Sequence, residues 1–240
     1  MDKNVPASAA LILDKIREVE VGTAARKGYD VIYANKQDKL PKPITSMTLA
    51  ELQGHQSKGW PAKSTASGGY QFMKATLAGL RKELGLRDTQ VFTPDLQDRL
   101  GYHLLIRRGY DKFIAGALSV NGFALNLAKE WASFPVLVAT QGQKRKVTRG
   151  FSYYDGDGLN KSLISPPEIE SLLEEALALS EAKPPKAVPQ KPQLPIEPEV
   201  IETHEEPIAP PAQKSDTGWI IGLIVIGIII AAIAATFVRF

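Results

Sequence analysis

The sequence contains no cysteine. Disulfides, thiolate nucleophiles and cysteine-based metal sites are therefore excluded, and the redox compartment stays open. Histidine is scarce as well. His55, His103 and His204 lie far apart and make no metal-ligand spacing, so neither a metal nor a cofactor is expected. A strong excess of one charge is also missing. Residues 1–182 carry 24 Lys/Arg against 20 Asp/Glu, a net of +4. That mild basicity suits an anionic polymer such as cell wall and is too small to argue for nucleic acid. No internal repeat is present. At the N-terminus the apolar run Ala9–Leu13 is interrupted by Asp14, Lys15 and Arg17 and has no small-residue cleavage site, so no signal peptide is expected.

What is present divides the chain in three. Hydrophobic content of 44% and charged content of 23% are near the globular average, so a core is expected, and it falls in residues 1–182. Residues 183–213 hold nine prolines and the acidic cluster Glu197, Glu199, Glu202, Glu205 and Glu206. Proline fixes φ and removes donors, so 183–217 reads as an extended, self-repelling linker. Gly218–Val238 is 21 residues without a charge, with Trp219 and Phe237 near its ends. About 20 apolar residues span a bilayer as a helix, so 218–238 is expected to be a single transmembrane helix and the chain to be held to a membrane. Lys214 and Arg239 balance across it and leave its orientation open. Gly218 and Gly222 have the small-xxx-small spacing of weak helix–helix self-association.

The first 182 residues read as mainly helical. Ser8 is placed to cap a helix running to about Glu20, with Ile12, Ile16 and Val19 on one face. Thr48-x-x-Glu51 forms a capping box. Leu77, Leu80 and Leu84 fall at helical spacing within Gly69–Leu84, which Gly85 ends. Thr93-Pro94-Asp95 opens a helix to Arg108, and 120–133 and 166–182 complete the set. Asp30-Val31-Ile32-Tyr33 reads as a short strand. The expectation is an α+β, mainly helical domain with a small β element.

Glu20 is the most suggestive acid. Four positions from Ile16, it sits only about 40° off the apolar face. It also ends the helix, where the negative pole of the dipole disfavours a carboxylate. Both effects raise its pKa, the property required of an acid that protonates a leaving oxygen near neutral pH. Glu18 points toward solvent and is the fallback. Asp30 is the best-placed second carboxylate. The other reading of Glu20 is a solvated helix-end residue.

The ordered blocks Glu20-Val-Gly-Thr23, Gly28-Tyr-Asp-Val-Ile32, Ser67-Gly-Gly-Tyr-Gln71, Leu84-Gly-Leu86, Gln97-Asp98 and Trp131-Ala-Ser-Phe-Pro135 resemble the lambda-type phage endolysins, lysozyme-superfamily muramidases. The resemblance covers roughly residues 10–160. It implies a lysozyme-like fold and cleavage of peptidoglycan between N-acetylmuramic acid and N-acetylglucosamine, with Glu20 as the acid. Two departures stand out. Val21 separates Glu20 from Gly22, whereas the lambda enzyme's acid directly precedes Gly-Thr; the Glu-x-Gly form resembles the Glu-Ser-Gly of other lytic transglycosylases. The insertion 36–59 replaces a differently built loop. Within the resemblance, Thr23, Ser67, Tyr70, Gln71, Trp131 and Tyr153 are the expected substrate contacts. Ser67-Gly68-Gly69 would let the backbone approach a sugar, and Tyr70 and Gln71 would stand on the first turn of a helix. Trp131 offers a sugar platform, and Tyr153 lies in the Tyr/Gly-rich loop 151–159. The basic run Lys144–Arg149 reads as a solvated loop.

The resemblance leaves hydrolysis and lytic transglycosylation open, with a slight lean to the single-glutamate lyase, in which Asp30 is structural. Two further readings stand beside it: a catalytically inactive, wall-binding structural protein of a virion or envelope machine, and a bacterial wall-remodelling enzyme. The expected location is a virion membrane or a bacterial inner membrane, with the domain acting on the periplasmic wall.

Overall fold

In the computed structural model, which describes residues 1–182, the first helix forms where the apolar spacing predicts it. α1 covers Ala7–Val21 and buries Ala9, Ile12, Leu13 and Ile16 on one face. It ends because Gly22 turns left-handed, with φ 74°, a conformation that costs a side-chain-bearing residue. The N-terminal cap is not Ser8. The helix already begins after Pro6, so Ser8 lies inside the first turn, and its buried hydroxyl pairs at 2.6 Å with the Tyr110 hydroxyl instead.

The capping signals elsewhere fix their helices as expected. α2 covers Leu49–Ser57, with Thr48 and Glu51 exchanging both bonds of the capping box. α4 covers Pro94–Arg107 behind a Thr93 cap and a first-turn proline. The left-handed Gly109 then starts the short α5, Tyr110–Ile114. α6 covers Val120–Glu130 with Ser119 as its cap, and α7 covers Pro166–Ala182. α1 packs most extensively on α7, burying Ile169, Leu172, Leu173 and Ala176, and it also packs on α4. Each fully buried aliphatic side chain contributes roughly 1.5–3 kcal/mol, so this pairing is a main source of the domain's stability.

Two expectations about local structure are corrected. Residues 30–33 do not form a strand. A 3-10 turn over Arg26–Asp30 is followed by a single antiparallel bridge, Ile32 to Ser67, and then by Ala34 and Asn35 at φ 59° and 53°, which break any ladder. The helix expected from Gly69 begins later, as α3, Lys74–Glu83. Residues 67–72 instead make a tight hairpin in which Ser67 and Phe72 exchange backbone bonds of 3.1 and 2.9 Å. Gly68 at φ 75° and Gln71 at φ 51° cannot belong to a right-handed helix. The two-stranded sheet lies elsewhere, in the basic segment: β1, Thr140–Gln141, pairs antiparallel with β2, Lys146–Val147. A mainly helical domain with a small sheet is nonetheless the class expected.

Among the described residues no helix is long and apolar enough to cross a membrane. The linker at 183–217, the uncharged segment 218–238 and the Gly218/Gly222 pair lie outside them.

Candidate functional site

α1 delivers Glu20 to its C-terminal end, and one buried arginine a turn earlier fixes the path of the chain beyond it. The Arg17 guanidinium donates from Nε (3.0 Å) and Nη2 (2.8 Å) to the carbonyl of Ala24, pinning the turn that leaves the helix. Its Nη1 donates to the Tyr70 hydroxyl (3.0 Å) and lies 3.7 Å from the wholly buried Asp98 carboxylate. The guanidinium stacks 4.4 Å from the Tyr29 ring centroid. Asp98 in turn accepts from the hydroxyls of Tyr29 (2.7 Å) and Tyr70 (2.6 Å) and from the backbone of Asp2 (2.7 Å). A buried charge held this way is satisfied from several sides, which is the condition for its being tolerated at all.

The segment after α6 closes over Glu20. Ser133 Oγ donates to Glu20 Oε1 at 2.5 Å. Burial pushes the Glu20 carboxyl above the ordinary glutamate range, and the Ser133 bond, which favours the charged form, offsets part of the rise. The carboxyl opens on a cavity of about 100 Å³ that Gln71, Met73, Thr76, Glu130 and Trp131 also line. Ligand sites usually run to roughly 300–1,000 Å³, so this recess by itself would hold only part of a sugar chain. Glu130 stands in it as an ion pair, 2.6 Å from Arg108 Nε. A carboxyl whose pKa is raised by burial is suited to giving a proton to a bound leaving group.

The expected contacts separate into four groups. Gln71 and Trp131 line the Glu20 cavity, although Trp131 is only 4% exposed and its Nε1 donates to the Tyr70 carbonyl at 3.4 Å. Gln71 is held by Nε2 donating to the carbonyls of Gly68 (2.8 Å) and Val31 (3.4 Å). Thr23 lines a second cavity, of about 260 Å³, and its Oγ1 accepts from the Ala25 backbone.

Ser67 and Tyr70 turn their polar atoms inward. Ser67 is fully buried, accepts from Gln56 Nε2 at 2.9 Å and donates to the Phe72 carbonyl. Tyr70 touches the cavity with its ring but spends its hydroxyl on Asp98 and is 2% exposed. The glycines between them admit protein, not sugar. A Cβ on Gly68 would fall 2.2 Å from Gln97 Oε1, and one on Gly69 2.7 Å from Arg17 Cδ. Tyr153 lines neither cavity; it packs edge-on against Tyr154, with Lys129 Nζ 5.4 Å from its ring centroid.

Of the alternative carboxylates, Glu18 is exposed and paired with Lys15 at 2.7 Å. Asp30 Oδ1 accepts from the Thr45 backbone at 2.9 Å, outside both cavities' linings, which is a structural use. Among the described residues no group of three or more His, Asp or Glu is placed to hold a metal ion. Ser133, Glu130 and Arg17 were given no role from the sequence, and Asp98 entered only as half of the Gln97-Asp98 block. Ser133 lies within the Trp131–Pro135 block, and Glu130 directly precedes it, so position alone could have drawn attention to both.

The family model described as Endolysin matches residues 10–158. No curated protein and no solved structure matches the chain.

Proposed function

Because the chain belongs to the endolysin family of phage enzymes that degrade bacterial peptidoglycan, we propose that it cuts the bond between N-acetylmuramic acid and N-acetylglucosamine with Glu20 as the proton donor. The observation that carries this reading is the desolvated Glu20 carboxyl, bonded to Ser133 at the floor of a cavity. Proton transfer to the bridging oxygen releases one sugar as an alcohol and leaves positive charge at the muramic C1. The new Glu20 carboxylate is steadied by the Ser133 hydroxyl, which is positioned to donate to it before the step begins.

For the second half of the reaction we favour the lytic transglycosylase route. Glu20 takes the proton of the muramic C6 hydroxyl as that oxygen bonds to C1, closing a 1,6-anhydro ring and restoring the acid without consuming water. Two features support this. Asp30, the second carboxylate that hydrolysis would need, is engaged by Thr45. Glu130, the other acid in the cavity, is neutralised by Arg108. The uncharged stretch 218–238 would tether the enzyme to a virion or bacterial inner membrane, during entry or lysis, with the domain facing the periplasmic wall; protease protection in vesicles tests that placement.

The chemistry is tested on purified sacculi, comparing wild type with Glu20→Gln. The reading requires soluble muropeptides from the wild type alone, with ends one water lighter than reducing ends by mass spectrometry. Reducing ends would replace the lyase by a hydrolase. Sedimentation with sacculi and no release of sugars would instead support a wall-binding protein without activity.

A further inference from the structure

The second cavity differs from the first in chemistry. It is lined by Val21, Gly22, Thr23, Lys27, Asn35 and Gln37, together with Val31, and it holds about 260 Å³. No carboxylate is among these residues, whereas the Glu20 cavity has Glu20 and Glu130. Its polar groups can donate. Lys27 is exposed and, among the described residues, pairs with no carboxylate. The Thr23 Oγ1 already accepts from the Ala25 backbone, which leaves its proton free to be given. Gln37 uses only Oε1, in a long 3.5 Å contact with the Ile32 backbone, which leaves its amide N–H groups for a guest.

The cavity is also built rather than incidental. Asn35 reaches it through two consecutive non-glycine residues in the left-handed region, Ala34 at φ 59° and Asn35 at φ 53°. Such backbone is unfavourable and persists where surrounding structure over-determines it, commonly at ligand sites. Finally, the two cavities are neighbours. Val21 and Gly22 directly follow Glu20, and the Val31 carbonyl accepts from Gln71, which lines the Glu20 cavity.

Resting on the muramidase reading, we infer that this second cavity seats a carboxylate of the peptide stem carried by the muramic residue. The glycan itself offers hydroxyl and acetamido groups, all neutral. The anionic groups of peptidoglycan are the carboxylates of the peptide attached through the muramic lactyl ether. That peptide branches from the sugar whose bond is cut, and the second cavity adjoins the first through Val21 and Gly22, the residues after Glu20. Donors around a lysine, with no acid among them, fit such a group.

The test compares native sacculi with sacculi whose stem carboxylates have been amidated, for wild type, Lys27→Met and Lys27→Arg. On native sacculi Lys27→Met raises KM by about fivefold, the scale of one solvated ion pair, and Lys27→Arg restores it. Wild type on amidated sacculi shows the same rise, and Lys27→Met adds nothing further there. An unchanged KM on native sacculi overturns the inference, and so does an equal loss for Lys27→Met on both preparations, which would place the lysine against the glycan or a wall phosphate. Wild type that opens neither preparation removes the muramidase reading, and the stem site with it.

Discussion

Replacing Asp98 by Asn changes a single atom in the interior, and its cost can be worked from the contacts around it. The carboxylate is wholly buried and accepts from two tyrosine hydroxyls and the Asp2 backbone while facing Arg17 Nη1 at 3.7 Å. An amide keeps the shape but leaves the guanidinium, 3% exposed as a residue, without its interior counter-charge. Removing one partner of a buried pair typically costs about 3–5 kcal/mol. Arg17 keeps Asp14 at 2.5 Å, at the half-exposed end of the network, so the low end applies, about 3 kcal/mol. For a domain of this size each kcal/mol lowers Tm by roughly 2–4 °C, giving a fall of about 6–12 °C. Circular dichroism melts of the purified chain measure it. In the companion pair, Arg17→Met with Asp98→Leu removes both charges and is less destabilised than the two single changes summed. A Tm that drops by less than about 2 °C for Asp98→Asn would refute the claim that this ion pair holds the end of the Glu20 helix.

Four further outcomes are expected. Glu20→Gln lowers the cleavage rate about 10²- to 10⁴-fold, the usual contribution of a general acid. It should also stabilise the fold at higher pH. Burial raises the native pKa, so ionising Glu20 costs stability as pH climbs above the unfolded value of ~4.3; the Tm advantage of the Gln variant therefore grows from about pH 4 upward, and an advantage that shrinks would contradict the burial. Ser133→Ala removes the bond that favours the carboxylate, so the alkaline limb of the pH–rate profile moves to higher pH; a limb that stays in place or moves down would show the bond to be idle. Arg108→Met leaves the Glu130 charge uncompensated in the Glu20 cavity and should move the same limb upward, with Glu130→Gln in the same chain reversing the change.

What the chain discloses before it is folded depends on the range of the interactions. Caps act over three or four residues, so Thr48 with Glu51 and Thr93 with Pro94 mark their helices faithfully. The placement of Glu20 was legible for the same reason: its angle from Ile16 and its position in the last turn are properties of one helix. The hairpin at 67–72 was not, because nothing in Gly-Tyr-Gln discloses that Gln71 will sit at positive φ; that is settled by Phe72 entering the core and by Gln97, which bonds the Gly69 backbone at 2.9 Å. Ser133 and Glu20 are 113 positions apart, and Asp98 gathers residues 2, 17, 29 and 70. Partners so distant carry no local signature, which is why Tyr70 reads as a sugar contact when its hydroxyl serves the interior.

The contact between the first and last helices also sets an order of events. A polypeptide made from its N-terminus exposes α1 early and α7 late, so the apolar stripe that ends at Glu20 waits for Ile169, Leu172 and Leu173 before it is covered. The helix that ends near Glu20 therefore gains its full packing only once synthesis has passed the seventh helix. The family match stops at residue 158. A fragment cut there would keep every residue assigned to the chemistry, yet strip the surface against which the acid-bearing helix leans.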